Sequence, residues 1–435
     1  MMAQAFYEEP AKQIPVVGSY DVIVAGGGPA GIGAAIAAAR NGAKTLLLEQ
    51  TAQLGGMAVP GMMSHWGGTS GSSILRELLK RCMNDPWENE KISPPNVINH
   101  EKQRLVLFEM MEEAGVTVQL HTMVAAVRKD GNRITGVITE SKSGRELVEC
   151  KVVIDCTGDG DVAALAGAEF QLGREEDNKM QPVTLMFKLM NVDMENAIFP
   201  CSFESYVNVP KGEIQSLGKS ILPHPAGHVL LYASSMPGVV VVNMTNVINI
   251  DGTDARSLTE AEITCQKQIP QIVKFLREYA PGYEHCYVIS AASYVGVRET
   301  RHVKGLYCVT AEDIVAGRVF DDWIATKSSF NFDIHNIEGA GLDKNGAQKH
   351  FHSKGPYTVP YRACVPEKIE GLLLAGRCIC GTHKAHSNFR IMSVCTGIGQ
   401  GCGTAAAIAV KDGVSERDVD IKKVQQALIN DGIEL

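Results

Sequence analysis

Arginines and histidines gather in a few short stretches of this chain: Arg298, Arg301 and His302, then His335, then Tyr361 and Arg362, then His383, His386 and Arg390. A guanidinium fork clamps a carboxylate through paired hydrogen bonds, and an imidazole titrates near neutrality, where protons are exchanged. Taking hydride from a C–H beside a hydroxyl needs a base for the hydroxyl proton. Reducing an activated C=C needs an acid, and a cation to polarise the acceptor. Arg362 is the first candidate for orienting an anionic or carbonyl group, with Arg298 as a further cation. His335 and His386 are the candidates for proton transfer. The plainer alternative is that Arg298, Glu299 and Arg301 form a structural ion-pair set, and that His383 and His386 merely pack along a loop. No side chain in this set carries hydride, so a cofactor must.

The place of that cofactor is legible in residues 20–49, YDVIVAGGGPAGIGAAIAAARNGAKTLLLE. An apolar strand-like run ends at Ala25, and Gly26, Gly28 and Gly31 supply G-x-G-x-x-G. An Ala-rich helical stretch reaches Arg40, Asn41-Gly42 stops it, and a second buried strand closes at Glu49. Gly26 permits the tight turn, Gly28 leaves backbone bare for a pyrophosphate, and Gly31 lets helix and strand pack closely. The helix N-terminus offers unpaired N–H groups and partial positive charge to that pyrophosphate. Glu49 stands where a ribose diol would donate to it. Together these predict a dinucleotide site on a Rossmann-like α/β domain.

The chain has 435 residues, enough for two domains or one with a large insertion. Hydrophobic content of 45% and charged content of 21% are ordinary for a globular protein. A net charge of -8 disfavours bulk attraction to nucleic acid or anionic lipid. No cationic segment followed by an apolar one opens the chain, so a signal peptide is not expected. Residues 22–39 are uncharged, but their glycines and Pro29 argue against a membrane helix. The expectation is a cytoplasmic protein with a small-molecule substrate and no nucleic-acid or membrane partner; a homo-oligomer is compatible with it. The 12 cysteines follow no disulfide or cluster spacing. His350-x-His352 and His383-x-x-His386 could each be a pair of metal ligands, but no further ligand of matching spacing accompanies them, so no metal is expected. Gly218-Lys219-Ser220 resembles the end of a P-loop, but Glu213 stands where its first glycine belongs.

Periodicity places helices at 74–83 and 101–114, with a loop at Pro86, Pro94 and Pro95 between them. From Val116 to Cys150 strands alternate with turns as a β-meander. Within residues 151–168 an apolar strand ends in Thr157-Gly158-Asp159-Gly160-Asp161 and passes into a small-residue helix. Val183–Met190 and Val239–Asn243 read as strands, and Thr259-x-x-Glu262 as a capping box opening a long helix. Residues 335–356 are polar and glycine-rich, as a lid over a site or a loose tip would be. Near the end, a strand at 372–375 precedes glycines 397, 399, 401 and 403. These are read as introducing a helix from Thr404 to Val410 whose start could meet a flat cofactor.

The fingerprint, Leu54-Gly55-Gly56-Met57, IDCTGDGDVAALAGA, VGVRETRHVKGLY, Asp333-Ile334-His335, Pro360-Tyr361-Arg362 and GLLLAGRCICGTHKAHSNFRIMSVCTGIGQGCGTAAA resemble the FAD-dependent oxidoreductases of glutathione-reductase-2 type. The resemblance is to the bacterial branch related to fumarate reductase flavoproteins and the heterodisulfide reductase flavin subunit, and it runs from about residue 20 to the end. It implies an FAD domain built from residues 18–175 and 361–435, with an α+β substrate domain inserted over 176–360. The cofactor contacts it implies are Gly26, Gly28, Pro29, Ala30 and Gly31, then Glu49, Gln50, Gly55, Gly56, Met57 and Val124. Thr157, Gly158 and Asp159 follow, and finally Gly376, Arg377 and Gly401. The iron–sulfur motifs of heterodisulfide reductase are missing. His65 lies in the loop that carries the flavin-linking histidine of fumarate reductases, but not at its spacing, so FAD should be noncovalent. No second strand–GxGxxG–helix–acid unit follows residue 49, so NADH and NADPH should reduce the flavin slowly or not at all. The expected activity is two-electron oxidation or reduction of a small polar metabolite bearing a carboxylate or hydroxyl. The alternatives are a flavin monooxygenase of hydroxylase type, and a flavin-bearing subunit of a larger complex or of RNA modification.

Overall fold

The apolar run ending at Ala25 becomes β1 (Val16–Ala25), and its last residues are buried. α1 (Pro29–Arg40) follows, with Pro29 in its first turn, where a missing N–H costs nothing. β2 (Thr45–Leu48) returns parallel to β1. This computed structural model describes residues 7–82 and 96–435; the loop expected at Pro86, Pro94 and Pro95 lies outside the described residues. α2 (Ser73–Cys82) and α3 (His100–Ala114) fall where their apolar periodicity puts them. Asn99 caps α3 by accepting from the Lys102 N–H, and Gly115 ends it at a φ of 78°.

β3 (Thr117–Gln119) pairs parallel with β2, so it belongs to the nucleotide sheet and not to the meander. The meander proper is β4 (Met123–Asp130), β5 (Arg133–Ser141) and β6 (Gly144–Asp155), paired antiparallel. β6 then runs parallel beside β1, and Leu372–Leu374 lies parallel on its other flank. The sheet order is β3-β2-β1-β6-β5-β4, with Leu372–Leu374 beside β6. Chain segments hundreds of residues apart therefore end their strands at one edge, where open α/β sheets bind ligands. α4 (Asp161–Ala166) leaves β6 after that edge.

The C-terminal glycines do not introduce a helix; they lie inside one, Met392–Asp412. A Cβ on Gly399 would stand 1.9 Å from the Ala30 carbonyl oxygen, and one on Gly403 2.1 Å from that of Ala34. Gly33 of α1 answers from the other side, 2.3 Å from the Thr396 oxygen. Glycine is needed because two backbones cross almost in contact. By length and composition the helix could cross a bilayer, yet 89% of its apolar window is buried in the protein.

A second core gathers residues from Val183 to Val295. Its sheet joins Phe187–Met190 to Val240–Val242 and Tyr287–Ala291, with Leu231–Ala233 at the edge, all antiparallel. The Ala255–Tyr279 helix packs on it. Asp254 caps that helix, so Thr259 and Glu262 are inside it and form no capping box; the Glu262 carboxylate accepts from the Val295 N–H instead. Val303 to Val365 pack into the first core. The chain thus returns at about residues 296–303, not at 360, because strand Tyr357–Pro360 pairs with Trp323–Ser328 and the Tyr361 hydroxyl donates to the Glu416 carbonyl.

Candidate active site

A cavity of about 350 Å³ opens at the ends of β1, β2 and β6, and Tyr294, Val295 and Val297 add wall from beside the second core. Of the residues expected to hold the cofactor, Gly26, Gly28, Pro29, Ala30, Glu49, Gln50, Gly56, Met57, Val124, Thr157, Gly158, Asp159, Gly376 and Arg377 line it. Gly31, Gly55 and Gly401 do not. Gly31 is pressed against the turn, where a Cβ would lie 1.8 Å from the Gly26 oxygen. Gly55 holds a φ of 102° and donates to the Gly27 carbonyl. Gly401 sits mid-helix, where a Cβ would meet the Ile324 carbonyl at 2.5 Å.

The residues present fit a dinucleotide. Gly28, the N-cap of α1 at an ordinary φ of -74°, has open space where a Cβ would be, the nearest atom being the Gly56 Cα at 3.9 Å. No side chain caps α1, which leaves first-turn N–H groups to an anion. Glu49 accepts from the Gly27 N–H at 2.8 Å and the Thr51 N–H at 2.7 Å, which fixes its carboxylate at the end of β2. Asp159 Oδ1 accepts from Thr300 Oγ1 at 2.8 Å and Arg377 Nη2 at 3.0 Å, while the buried Nη1 of Arg377 has no partner. A buried donor left over beside the cavity suits a phosphate or sugar oxygen. Met392 and Cys395, in the first turn of the Met392–Asp412 helix, also reach the cavity, and Ile391 gives that helix no side-chain cap. Its positive end begins at Met392 rather than Thr404.

Arg390 joins this cavity to a second set of groups. Its Nη2 donates to Asp333 Oδ2 at 2.9 Å and to the Asp333 carbonyl at 2.8 Å. Gln348 Nε2 donates to Asp333 Oδ1 at 2.9 Å, and His335 Nε2 lies 3.3 Å from Oδ2. Burial alone would raise the Asp333 carboxyl, but His335, Arg390 and Arg298 outweigh it and hold the group well below the usual range. His335 is pushed down to about 4, first by burial and then by the charge of Arg298, so it is neutral at pH 7. Arg298 donates to the Pro182 carbonyl; burial and then Arg390 lower it to about 10, which leaves it a cation. The His335 ring meets Phe203 edge-on at 4.9 Å.

The structure therefore brings Arg298 and His335 together around Asp333, and does not bring the other two candidates there. Arg362 is half exposed, paired with Asp322 at 3.0 Å and stacked over Tyr307 at 5.3 Å. His386 is buried against a different carboxylate, Glu299, whose Oε1 accepts from His302 Nε2 at 2.9 Å and His383 Nδ1 at 2.6 Å. Nor do Arg298, Glu299 and Arg301 form one ion-pair set, since Arg301 pairs with Asp161 at 2.8 Å. Asp333 is the group the sequence left without a role. Its only signal was the spacing Asp333-x-His335.

A sheet with a parallel core, a bare glycine turn, a fixed acid at the end of β2 and an arginine with one unpaired nitrogen beside the cavity define an α/β dinucleotide-binding protein. The chain belongs to the FAD dependent oxidoreductase family, which it matches over residues 21–428, and FAD is its cofactor. It is 27% identical over 221 residues to a digeranylgeranylglycerophospholipid reductase of Methanocaldococcus jannaschii, covering 46% of this chain and 55% of that one. A namesake from Picrophilus torridus is 31% identical over 156 residues, covering 32% and 39%. The chain thus spans about half or less of the length of these relatives. A geranylgeranyl bacteriochlorophyll reductase-like protein of Thermoplasma acidophilum superposes with a TM-score of 0.49 at 14% identity, over 95% of this chain and 84% of that one.

Proposed function

We propose that the protein carries out two-electron, hydride-type oxidation or reduction of a small polar metabolite bearing a carboxylate or hydroxyl. In this reading the fold is of glutathione-reductase-2 type and the second core is the substrate domain. The observation that supports it most is Arg390, which lines the FAD cavity and also anchors the Asp333–His335 pair. Bound FAD supplies the hydride acceptor or donor. Arg390 and Arg298 offer two guanidinium groups to an anionic substrate, and Nε of Arg390 is buried without a partner. Because Asp333 is ionised and His335 neutral, Nε2 of His335 carries the proton toward Asp333. That leaves Nδ1 with the lone pair that takes a proton from a substrate hydroxyl. The charged surroundings do not suit the apolar chain that the names of the archaeal relatives describe.

The test is anaerobic flavin reduction by candidate hydroxy acids, and reoxidation by unsaturated acids, followed by absorbance. The substrate found this way should lose roughly 100-fold or more in rate with Arg390→Lys or His335→Gln at normal FAD content. Near-normal rates in both would remove these residues from the chemistry. A hydroxylated product formed in air would replace the reading with that of a monooxygenase.

A further inference from the structure

His383-x-x-His386 has no third ligand near it in the chain, yet folding delivers one pair of donors to it from 299–302. We propose that Glu299, His302 and His386 form a site for one divalent cation of the zinc class, separate from the FAD cavity. All three are buried, and their ligand atoms lie within 4.8 Å of one another. Glu299 Oε1 is 2.9 Å from His302 Nε2 and 4.0 Å from His386 Nδ1. Bonds of about 2.0–2.1 Å in a tetrahedral site set neighbouring donors roughly 3.4 Å apart, so these separations bracket what a cation needs.

The independent sign is His386 itself. Its side chain is 1% exposed, and Nδ1, turned toward the carboxylate, has no hydrogen-bond partner. With its proton on the other ring nitrogen, this buried Nδ1 is an unsatisfied lone pair beside a carboxylate, and a cation between the two groups is ligated by both. The donor set of two imidazoles and one carboxylate matches zinc chemistry better than that of oxygen-seeking calcium or magnesium. The ligands are also held in place. The Gln181 N–H donates to Glu299 Oε2 at 3.1 Å, and His386 sits on the short helix His383–Phe389. His383, on the same carboxylate oxygen and 14% exposed, marks the way in from solvent.

The experiment is zinc binding to the chelator-stripped, FAD-loaded full chain, by calorimetry and elemental analysis, with cobalt as an optical probe beyond the flavin bands. One equivalent per chain is expected, with cobalt giving the intense bands of a low-coordinate site. Affinity should fall about 100-fold in His302→Gln and in His386→Gln, each checked for FAD content and circular dichroism. It should be unchanged in His350→Gln, where the exposed His350-x-His352 pair is broken. Absence of stoichiometric binding to the wild type overturns the proposal. So does equal binding by wild type and both cluster variants, or loss of the zinc with His350→Gln. Should either cluster variant fail to fold, Glu299→Gln provides the third reading: its amide oxygen still accepts on one side, its NH2 cannot replace the other carboxylate oxygen, and the cation should be lost.

Discussion

Gly28 and Gly31 are three residues apart, and a methyl group would do opposite things at them. At Gly28 it would stand in open space at the cavity wall, on a backbone any residue adopts. At Gly31 it would collide with the Gly26 carbonyl. Gly28→Ala should therefore fold with unchanged circular dichroism and melting temperature of the apo-protein, but bind FAD at least roughly 10-fold more weakly, because the methyl takes pyrophosphate space. Gly31→Ala should lose the fold and the flavin together. Equal FAD affinity in Gly28→Ala would put the pyrophosphate elsewhere. At the same scale, Arg362 is a half-exposed ion pair with Asp322, and such pairs contribute roughly 0–1 kcal/mol. Arg362→Ala should leave flavin reduction by substrate within about twofold of normal; a large loss in stopped-flow rates would restore it to the site.

Among the elements, the crossing of α1 with the Met392–Asp412 helix decides the geometry of the cofactor site, since each helix brings its N-terminus to the cavity. Intrinsic propensity says that Gly→Ala inside a helix gains about 1 kcal/mol. At Gly399 the added Cβ would stand 1.9 Å from a backbone oxygen of α1, and overpacking of that kind costs typically 1–3 kcal/mol or more. The clash wins. Gly399→Ala should lower the melting temperature and release FAD as the helix starts part, with both read in one thermal scan by flavin fluorescence. A rise in melting temperature would mean that the helices are farther apart than the structure places them.

Across the whole molecule, several histidines are buried and neutral. His335 is held at about 4 and His100 at about 3 by burial, helped by Arg298 and Lys188 respectively; His228 and His386 are pushed well below their ordinary value, again mainly by burial. A depressed folded value gives stability that is complete above pH 6.5 and is lost as pH falls toward the folded value. The shift of His335 alone corresponds to about 3 kcal/mol. Asp155 works against this: burial raises it to about 6, so acidification relieves it by a similar amount. His383 also opposes it, since Glu299 raises its value against the effect of burial. The neutral histidines outnumber these groups. The melting temperature should fall steadily from pH 7 to pH 4.5, with a shallower slope in His335→Gln. A flat or rising profile would mean these imidazoles are hydrated. In a separate test, NADH or NADPH under anaerobic conditions should bleach the flavin slowly or not at all, since among the described residues only the β1–α1 turn has the glycine fingerprint followed by an acid; rapid saturable bleaching would contradict this.

What the sequence determined by itself was everything carried by short-range order. The β1–turn–α1–β2 unit, its glycines and Glu49 could be placed because a turn, a cap or a bare backbone is specified within a few residues, whereas the turns at Asp159 and Arg377, which line the same cavity, were reached through the family resemblance. Glycines 397–403 were visible as a pattern but misread, since a glycine that permits a turn and one that permits a helix crossing look alike until the opposing backbone is in place. The return of the chain at about 296–303, the exposure of Arg362, and the meeting of Arg390 with Asp333 and of His386 with Glu299 were decided only by tertiary structure. Charged groups carry no periodicity to announce their partners. A carboxylate buried without water is satisfied by whichever cations the packing of distant segments delivers, and that is a property of the assembled cores, not of any local stretch.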